Sequence, residues 1–237
     1  MESNLKIVDL GLLIKDKRIL IFSDFHIGYE EALNKQGILV PRFQFKDVIK
    51  RLGKIFSELK KTKLEKIIIN GDLKHEFGRI SEQEWRETLR LLDFLTNFCN
   101  EIILVKGNHD TIIGPIAEKK KVKIVEHFLV GNTLIIHGNK IPEKGLLKKA
   151  KTIVIGHEHP AISLREDIRI EKFKCFLKGK YKRKKLIIMP SFCLATEGTD
   201  VLKEKLISPF LDHDLRNFEV FVVADKVYDF GKVKNLL

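Results

Sequence analysis

Apolar residues in the first half of the chain fall into two kinds of segment that alternate along the sequence. Short aliphatic runs, typical of strands buried on both faces, are separated by stretches in which apolar residues recur at helical spacing. The strand-like runs are 5–8, 10–14, 19–22, 67–69 and 102–105. The helical stretches are 30–36, 45–59 and 85–95, and Ser81 with Glu84 precede the last in the spacing of a capping box. This alternation predicts a sheet of parallel strands covered by helices.

In the second half the strand-like runs come closer together, and the helical signals are brief. The runs are 122–125, 128–130, 133–136, 152–155, 162–164, 186–189, 218–223 and 226–230. Two short helices are expected, over 143–150 and 200–206. Strands at this density predict a second sheet that packs face to face with the first, with helices outside. Because no linker or repeat divides the sequence, we expect residues 1–237 to form a single domain of the α/β (α+β) class.

Composition places the chain among folded proteins without a membrane span. Its 237 residues are 44% hydrophobic, which is too high for a disordered chain. No run of about 18 apolar residues occurs, and the first residues lack the basic region and apolar core of a signal peptide. The three cysteines are an odd number without metal-ligand spacing. We therefore expect a cytoplasmic protein that does not contact a membrane.

Charge adds a question about partners. Lysine and arginine number 44 against 32 acidic residues, which gives a net charge of +12. This balance favours an anionic partner, above all nucleic acid, but enrichment in lysine and glutamate is also a feature of heat-adapted proteins. Segment 172–185 holds eight basic residues and no acid, with three aromatic residues between them. It is either a nucleic-acid-binding ribbon or a lysine-rich hairpin whose charges are solvated, and the lack of strict alternation favours the hairpin.

Residues suited to metal binding follow the ends of several strand-like runs. They are Asp24 and His26; Asp72; Asn108, His109 and Asp110; His137; and His157 and His159. Each alone has an ordinary explanation, because an aspartate can cap a helix and a single histidine in an apolar setting is usually a hydrogen-bonded core residue. Together they include five of the eight histidines, each after an apolar run. In open α/β sheets, such strand ends are where ligands bind.

This set of oxygen and nitrogen donors suits two divalent metal ions. Carboxylates and imidazoles are ligands for Mn, Fe, Zn, Ni or Co, whereas a single Mg site would not need so much nitrogen. A carboxylate can bridge two ions about 3.5–4 Å apart, and such a pair polarises a phosphate and lowers the pKa of a bound water. We take Mn as the first candidate and keep Fe, Zn, Ni, Co and Mg as alternatives.

Five short motifs carry a resemblance to a known family. They are Asp24-x-His26, Gly71-Asp72, Gly107-Asn108-His109-Asp110, His137-Gly138 and Gly156-His157-x-His159. In this order, over residues 19–160, they resemble the five blocks of the calcineurin-like metallophosphoesterase superfamily. Within it, segments 71–77 and 156–160 resemble the ICC-like phosphoesterases, a branch that includes ligase-associated members. The resemblance implies a four-layer sandwich of two mixed β-sheets flanked by helices.

The resemblance also implies a role for each residue. One metal ion would be held by Asp24, His26, Asp72 and His159, and the other by Asp72, Asn108, His137 and His157. Asp72 would bridge the two ions together with a water or hydroxide, which would attack phosphorus. His109 would protonate or stabilise the leaving oxygen, and Asp110 would hold its ring in the useful tautomer.

The expected function is therefore metal-dependent hydrolysis of a phosphate ester, either a phosphodiester or a phosphomonoester. One alternative is a nuclease that acts on DNA or RNA together with a partner, which would use the positive charge. Another is a non-catalytic interaction module of the same fold. Such modules usually lack His109 or the His-x-His pair, and this chain has both.

The loop after Asp72 departs from the superfamily's protein phosphatases. Those carry Gly-Asp-x-x-Asp-Arg-Gly, whereas residues 74–78 here are Lys-His-Glu-Phe-Gly. The missing arginine argues against a phosphoprotein phosphatase. Lys74 or His75 is then a candidate cation for the phosphate, and a hydrogen-bonded loop residue is an equal alternative for His75. We expect Glu30 to lie on a surface helix turn, and Cys193 not to act as a nucleophile.

Overall fold

A computed structural model describes residues 4–59, 63–167 and 169–236 of the chain. Within these ranges the first half forms a six-stranded sheet whose strands follow one another in chain order. The strands are β1 (Leu5–Val8), β2 (Gly11–Ile14), β3 (Ile19–Phe22), β4 (Leu64–Asn70), β5 (Cys99–Val105) and β6 (Lys123–Val125). β3 to β6 run parallel, and β1 and β2 are added antiparallel at one edge. The parallel strands predicted from the buried runs are confirmed.

Five α-helices occur in the described residues. They are α1 (Tyr29–Lys35), α2 (Gln44–Glu58), α3 (Glu82–Thr96), α4 (Gly114–Lys119) and α5 (Lys144–Lys149). In α2 the buried residues Val48, Leu52 and Ile55 recur at helical spacing, which turns one face of the helix to the core. α3 begins at the predicted capping box of Ser81 and Glu84. Nowhere in the described ranges does a helix combine the length and the apolar character that a bilayer span requires.

The second half forms a nine-stranded mixed sheet within the described residues. Its strands are β7 (Phe128–Val130), β8 (Thr133–Ile135), β9 (Thr152–Ile155), β10 (Pro160–Glu166), β11 (Arg169–Tyr181), β12 (Lys184–Ile188), β13 (Thr199–Asp200), β14 (Glu219–Val223) and β15 (Val227–Lys232). Seven of them lie in the order β13-β10-β11-β12-β9-β8-β7, and β14 pairs with both β11 and β15. β8, β9 and β12 are parallel neighbours, so their carboxyl ends lie at the same edge of the sheet.

The helix predicted over 200–206 is wrong. Asp200 ends the short strand β13, and the residues after it form turns. The Asp200 carboxylate accepts a hydrogen bond from the backbone N–H of Leu202 at 3.0 Å, and the Glu204 carboxylate accepts one from the N–H of Asp200 at 3.2 Å. These side chains satisfy backbone groups locally and so compete with a helix. The other short helix, predicted over 143–150, is present as α5.

The two sheets face each other across the larger of two apolar cores. Phe22 of the first sheet shares this core with Val154 and Phe176 of the second. Their chain neighbours Ile153 and Leu177 enter the smaller core, as expected for the alternating faces of a strand. The smaller core also contains residues of α5 and of the segment 201–218, which together cover the outer face of the second sheet. The predicted sandwich of two mixed sheets with flanking helices is confirmed.

The basic segment 172–185 is a hairpin within the second sheet. It contains the end of β11, a turn at Lys182 and Arg183, and the start of β12. Phe176 is fully buried in the larger core, and the ring centroid of Tyr181 lies 4.9 Å from that of Phe210. Aromatic side chains packed in this way are not available to stack on bases. The predicted hairpin is present, although its Lys174 is buried rather than solvated, and nucleic-acid binding by its lysines stays a prediction.

Candidate metal centre

Residues at the carboxyl ends of strands from both sheets meet at one edge of the sandwich. The ends of β3, β4 and β5 lead into Asp24 and His26, into Asp72, and into Asn108 and His109; the ends of β8 and β9 lead into His137 and into His157 and His159. Two groups of possible ligands occur among them, and within each group the ligand atoms lie within 4.8 Å of one another. One group is Asp24, His26 and His159, and the other is Asp72, His137 and His157. The structure therefore brings the predicted residues together, and their role as ligands stays a prediction.

Many of these residues have backbone conformations that non-glycine residues rarely adopt. A positive φ is found at Asp24 (54°), His26 (46°), Asp72 (46°), His157 (65°) and His159 (51°). A left-handed backbone at a non-glycine residue costs on the order of 1–3 kcal/mol and is concentrated at functional sites. Hydrogen bonds between neighbouring loops hold it in place. The N–H of His26, for example, donates to the carbonyl of Asp72 at 2.9 Å.

The first group of donors gathers around Asp24. Nε2 of His26 lies 3.3 Å from Nε2 of His159, and the latter lies 3.4 Å from Oδ1 of Asp24. Asp24 is fully buried, and its Oδ1 makes no hydrogen bond with any residue in the described ranges. The other carboxylate oxygen accepts hydrogen bonds from the Ser23 hydroxyl at 2.5 Å and from the N–H of His157 at 3.1 Å. One oxygen of the carboxylate is thus fixed by the protein, and the other faces two imidazoles.

The second group of donors gathers around Asp72 and His137. Nε2 of His137 lies 3.3 Å from Oδ2 of Asp72, 2.9 Å from Oδ1 of Asn108 and 3.2 Å from Nδ1 of His157. Two glycines make this packing possible. A Cβ at Gly71 would lie 2.0 Å from Nδ1 of His137, and a Cβ at Gly107 would lie 2.1 Å from Oδ1 of Asp72.

Asp72 lies between the two groups. Its Oδ2 is 3.7 Å from Nε2 of His26 in the first group and 3.3 Å from Nε2 of His137 in the second. Its Oδ1 accepts a hydrogen bond from the N–H of His109 at 2.9 Å, which fixes the orientation of the carboxylate. A carboxylate held in this way can contribute to both groups.

The donors fit divalent cations of the kind predicted. Imidazole nitrogens that face each other at 3.2–3.3 Å need a proton or a cation between them. The buried Oδ1 of Asp24, without a hydrogen-bond partner in the described part of the chain, is a second sign of a missing positive charge. Nitrogen and oxygen donors without sulfur are the mixed set that Mn, Fe, Zn, Ni and Co accept.

The electrostatics of the metal-free centre are set by burial and by opposite charges. Burial raises the pKa of Asp24, but the neighbouring His159, His137 and His26 outweigh it and hold that pKa below its usual range. Burial lowers the pKa of His157 to about 4, helped by the charge of His137. Burial also lowers the pKa of His137, but its hydrogen bond to Asp72 and the charges of both aspartates raise it to about 9. In the absence of metal, His137 is therefore the protonated imidazole of its group.

His109 lies at the rim of the centre rather than within either ligand group. Its Nε2 is 3.9 Å from Oδ2 of Asp72, and its Nδ1 contacts the backbone carbonyl of His75. A carbonyl accepts but cannot donate, so this contact assigns the proton to Nδ1 and turns Nε2 towards the centre. Together with His26, His75 and His159, His109 lines an open cavity of about 370 Å³ through which a substrate can reach Asp72.

The contact expected between Asp110 and the ring of His109 is wrong. The Asp110 carboxylate accepts hydrogen bonds from the N–H of Leu73 at 3.1 Å and from the N–H of Gly107 at 3.0 Å. Asp110 is fully buried, and burial together with the charge of Asp72 raises its pKa to about 6. It therefore joins the loops after β4 and β5, while the carbonyl of His75 orients the ring that Asp110 was expected to hold.

Neither Lys74 nor His75 is placed to act as a free cation at neutral pH. The Lys74 side chain is buried, and its ammonium group donates to the carbonyl of Glu76. Burial lowers the pKa of His75 to about 4, with a further contribution from His109, so the ring is neutral at pH 7. Nδ1 of His75 lies 3.3 Å from Nδ1 of His26, and these two residues form a third possible ligand group with His109. His75 is thus part of the centre, which the motifs alone did not establish.

Glu30 was expected on the surface, and this is wrong. It is buried, and its Oε1 accepts hydrogen bonds from the N–H groups of Phe43 and Gln44 at 3.0 Å each, which caps the start of α2. The Gln44 side chain then donates to the carbonyl of Phe25 at 3.0 Å and to the sulfur of Cys193 at 3.2 Å. Burial raises the pKa of the Cys193 thiol to about 11, which agrees with the expectation that it is not a nucleophile.

Two further buried glutamates organise the loops around the centre. Oε1 of Glu84 accepts from the N–H groups of His75 and Glu76 at 3.1 and 2.7 Å, in addition to its role in the capping box. Oε2 of Glu158 accepts from the N–H groups of Ile207 and Ser208 at 2.9 and 2.8 Å. From the sequence, Glu84 was expected only to cap its helix, and no role was expected for Glu158. The position of Glu158 between two candidate ligand histidines is the sequence feature that could have pointed to it.

Comparison with known proteins identifies the family. The model for calcineurin-like phosphoesterases matches residues 17–189, a range that includes every residue of the predicted centre. The chain belongs to the calcineurin-like phosphoesterase family. This agrees with the resemblance carried by the five motifs and with the observed sandwich of two sheets.

The phosphoesterase also resembles solved structures in overall fold. Nuclease MPE of Pseudomonas putida is similar with a TM-score of 0.67 at 17% sequence identity, over 95% of this chain and 94% of that chain. The phosphoesterase Yfce of E. coli matches with a TM-score of 0.43 at 13% identity, over 91% of this chain and 97% of that chain. No curated protein matches the sequence. At these identities the similarity concerns the fold alone.

Proposed function

We propose that this phosphoesterase is a dinuclear, metal-dependent phosphodiesterase. The observation that carries the proposal is the position of Asp72, whose Oδ2 lies 3.7 Å from Nε2 of His26 and 3.3 Å from Nε2 of His137. A carboxylate shared by two donor groups supports two cations rather than one. The proposed ligands of one ion are Asp24, His26, Asp72 and His159, and those of the other are Asp72, Asn108, His137 and His157. Mn is the first candidate, because nitrogen and oxygen donors are mixed.

The cations would polarise the phosphate and lower the pKa of a water molecule that attacks phosphorus. The protein supplies the negative charge that holds them, since the pKa values of Asp24 and Asp72 are below their usual range despite burial. It also supplies neutral imidazoles, since burial lowers the pKa of His26 and His157. The charge for the cations is thus in place at neutral pH, and His137 needs only to release its proton.

His109 is the proposed proton donor to the leaving oxygen. Its Nδ1 is fixed by the carbonyl of His75, which leaves Nε2 as the atom that faces the cavity and exchanges a proton with the substrate. An alkoxide leaving group needs such a donor. Asp110 supports this arrangement indirectly, by fixing the loop in which His109 lies.

The composition of the cavity favours a diester over a monoester. No lysine or arginine occurs among the described residues that line it. A phosphomonoester carries up to two negative charges at neutral pH, while a diester carries one. With the His75 ring neutral and Lys74 bonded to Glu76, neither of the two cations expected from the sequence is available for the second charge.

Hydrolysis of two aryl esters tests the proposal. Metal-stripped protein should hydrolyse bis(p-nitrophenyl) phosphate only after Mn is added. With Mn, it should hydrolyse p-nitrophenyl phosphate at least about tenfold more slowly than the diester. The variant Asp72→Asn should lose activity by about a thousandfold, because it removes the shared carboxylate charge. Asp212→Asn, an exposed residue, is the matched control and should keep full activity. Folded protein that turns over neither ester with Mn, Fe, Zn, Ni or Co would contradict the proposal.

A nuclease is the second candidate function. It is supported by the net charge of +12 and by the similarity in fold to a protein described as a nuclease. Incubation of the Mn-loaded protein with single-stranded and double-stranded DNA and with RNA tests it. Cleavage whose rate falls steeply with added salt is the expected result. Turnover of small diesters without any cleavage of nucleic acid would leave only the first proposal.

A non-catalytic interaction module is disfavoured by the composition of the cavity. His109, His157 and His159 all line one open cavity, an arrangement that a module without activity would not need.

A cytoplasmic location is proposed from the cysteines. All three are buried and free, as expected in a reducing compartment.

A further inference from the structure

A second cluster of charged side chains borders the metal centre, and the proposed hydrolysis does not use it. A cavity of about 480 Å³ is lined by four basic residues, Lys35, Arg42, Arg79 and Arg86, together with Glu31, Ser81, Glu82 and Gln83. All four basic residues are exposed. Arg42 is paired with Glu31, and Nζ of Lys35 lies 3.7 Å from a carboxylate oxygen of Glu76.

Arg79 and Arg86 are the members of this cluster with unused guanidinium groups. Neither side chain forms a hydrogen bond or an ion pair with any residue in the ranges that the structure describes. Glu82 is the acid in the lining that has no basic partner there. The cavity therefore keeps an excess of positive charge that can attract an anion.

The loop 75–81 joins the basic cavity to the metal centre. His75 lines the metal-site cavity, while Arg79 lines the basic one. Four residue steps separate them, which span at most about 14 Å of extended chain. α1 makes a parallel link, because the Tyr29 ring lies 4.6 Å from that of His75 and Lys35 lines the basic cavity. The loop 75–81 and α1 therefore connect the two cavities over a short distance.

An exposed aromatic residue lies in the loop 75–81 that connects the two cavities. Phe77 is 51% exposed, and its ring centroid lies 3.7 Å from that of His109. Phe43, which follows Arg42, is 61% exposed. Among the described residues, the other exposed aromatic side chain is Tyr228, at 36%. Exposed rings next to unpaired arginines form the combination that binds single-stranded nucleic acids, in which bases stack on rings and phosphates contact guanidinium groups.

We propose that Phe77, Arg79 and Arg86 form a subsite that binds the nucleotides flanking the scissile phosphate of a single-stranded nucleic acid. Phe77 stacks on the base beside the reacting phosphate, and the two arginines contact the following phosphates. This inference rests on the proposed phosphodiesterase function and adds the part of the substrate that a small diester lacks. It also places the nucleic-acid strand along the loop 75–81 rather than at the hairpin 172–185, whose Phe176 and Tyr181 are packed into the cores.

Binding without hydrolysis tests the subsite. A fluorescein-labelled oligothymidylate is titrated with the protein in EDTA, and its anisotropy is followed at several salt concentrations. The double variant Arg79→Gln/Arg86→Gln should bind about tenfold more weakly at low salt, and the slope of log affinity against log salt should fall by about 1.4, because each phosphate contact in a single strand contributes about 0.7. Lys182→Gln/Arg183→Gln removes the same charge from the exposed hairpin turn and should change neither value.

Phe77→Leu separates stacking from charge. Leucine keeps an apolar contact with His109 but offers no ring, so binding should weaken by roughly fivefold or more while the salt slope stays the same. In hydrolysis assays with Mn, the arginine double variant should raise KM for an oligonucleotide at least ten times more than KM for bis(p-nitrophenyl) phosphate. Circular dichroism and thermal unfolding confirm that each variant is folded.

The outcomes distinguish failure of the subsite from failure of the enzyme. Wild-type protein that binds the oligonucleotide through the arginines but hydrolyses no ester leaves the subsite standing and contradicts the proposed activity. Equal losses in the arginine and hairpin double variants would overturn the subsite, as would unchanged binding by the arginine variant. Displacement of the labelled strand by polyglutamate as readily as by unlabelled oligothymidylate would also overturn it, in favour of an acidic protein partner.

Discussion

Asp72 is oriented by the protein itself, without help from a cation. Its Oδ1 accepts from the N–H of His109, and the missing Cβ of Gly107 leaves room for the carboxylate. The residue also adopts a left-handed φ of 46°, which the hydrogen bond from His26 N–H to its carbonyl helps to maintain. A side chain fixed in this way loses little further freedom when a cation binds, which favours affinity.

Replacement of His109 with asparagine separates proton transfer from metal binding. Asp72 is held by the backbone N–H of residue 109, which the variant retains, so metal stoichiometry should not change. The kcat for a thymidine dinucleotide, whose leaving group is an alkoxide, should fall by about a hundredfold or more, and its pH–rate profile should lose one limb. The kcat for bis(p-nitrophenyl) phosphate should fall much less, because p-nitrophenolate leaves without a proton. Metal content by atomic spectroscopy and rates across pH check this. His213→Asn, an exposed histidine, is the control, and undiminished activity of the His109 variant towards the dinucleotide would reject the assigned role.

His137 should make metal binding depend on pH. Its pKa is raised to about 9, so the ring is protonated at pH 7 in the metal-free protein, and coordination must release about one proton. Affinity for Mn should therefore rise with pH until about 9. Calorimetric titrations in buffers with different ionisation enthalpies measure the released proton. An equal heat in all buffers would contradict the prediction, and His213→Asn should behave like the wild type.

The same shift has a consequence for the stability of the metal-free protein. A histidine whose pKa is raised on folding contributes stability that is complete below its unfolded value of 6.5 and is lost as pH rises through about 9. The urea midpoint of metal-free protein should fall across this window. Mn-loaded protein should not show the fall, because the nitrogen is then occupied by the cation.

At the scale of elements, the segment after β12 supports two ligand loops at once. The N–H groups of Phe192 and Cys193 donate to the carbonyls of Ser23 and Asp24 at 2.7 and 3.0 Å, and that of Thr199 donates to the carbonyl of His159 at 2.9 Å. The segment is itself held by Lys174 of β11, a nearly buried residue. Its ammonium group donates to the Ser191 hydroxyl at 3.1 Å and to the carbonyl of Thr196 at 2.6 Å.

Lys174→Met should therefore affect both stability and metal affinity. The buried Ser191 hydroxyl and the partly buried Thr196 carbonyl would lose their donor, so the free energy of unfolding should fall by up to about 1–3 kcal/mol for each unsatisfied group. Loss of support for Asp24 and His159 should weaken Mn binding by about tenfold or more. Urea unfolding and calorimetry measure the two effects. Lys178→Met removes a half-buried lysine of the same strand, whose ammonium group lies 4.0 Å from the centroid of the Phe221 ring, and is the matched control. Unchanged Mn affinity would show that the contact is only structural.

At the scale of the whole molecule, sequence reasoning succeeded where one segment decides its own structure. The buried runs, the capping box at Ser81 and the strand ends at Asp72 and His137 depend on local patterns, and they were predicted correctly. It failed at residues 200–206, where side chains compete locally with a helix, and at Asp110, whose partner is distant. Asp110 lies beside His109, but its carboxylate bonds to the N–H of Leu73, which is 37 residues away. No periodicity encodes such a contact.

Metal binding should stabilise the entire sandwich, because the ligands come from both sheets. A hundredfold excess of Mn over its Kd adds about 2.7 kcal/mol to the free energy of unfolding, which corresponds to roughly 5–10 °C in Tm for a chain of this length. Scanning calorimetry with and without Mn measures the shift as a single transition. Asp72→Asn should lose most of it, while Asp212→Asn should retain it. A shift of equal size in both variants would mean that Mn binds elsewhere.

The division of the ligands between the two halves of the chain also sets an order of events during synthesis. A ribosome releases Asp24, His26, Asp72 and Asn108 with the first sheet, well before His137, His157 and His159 emerge with β8 and β9. A nascent chain at that stage has only a partial set of donors for either ion. If the proposed ligands hold the two ions, stable metallation has to wait until the second sheet has docked on the first.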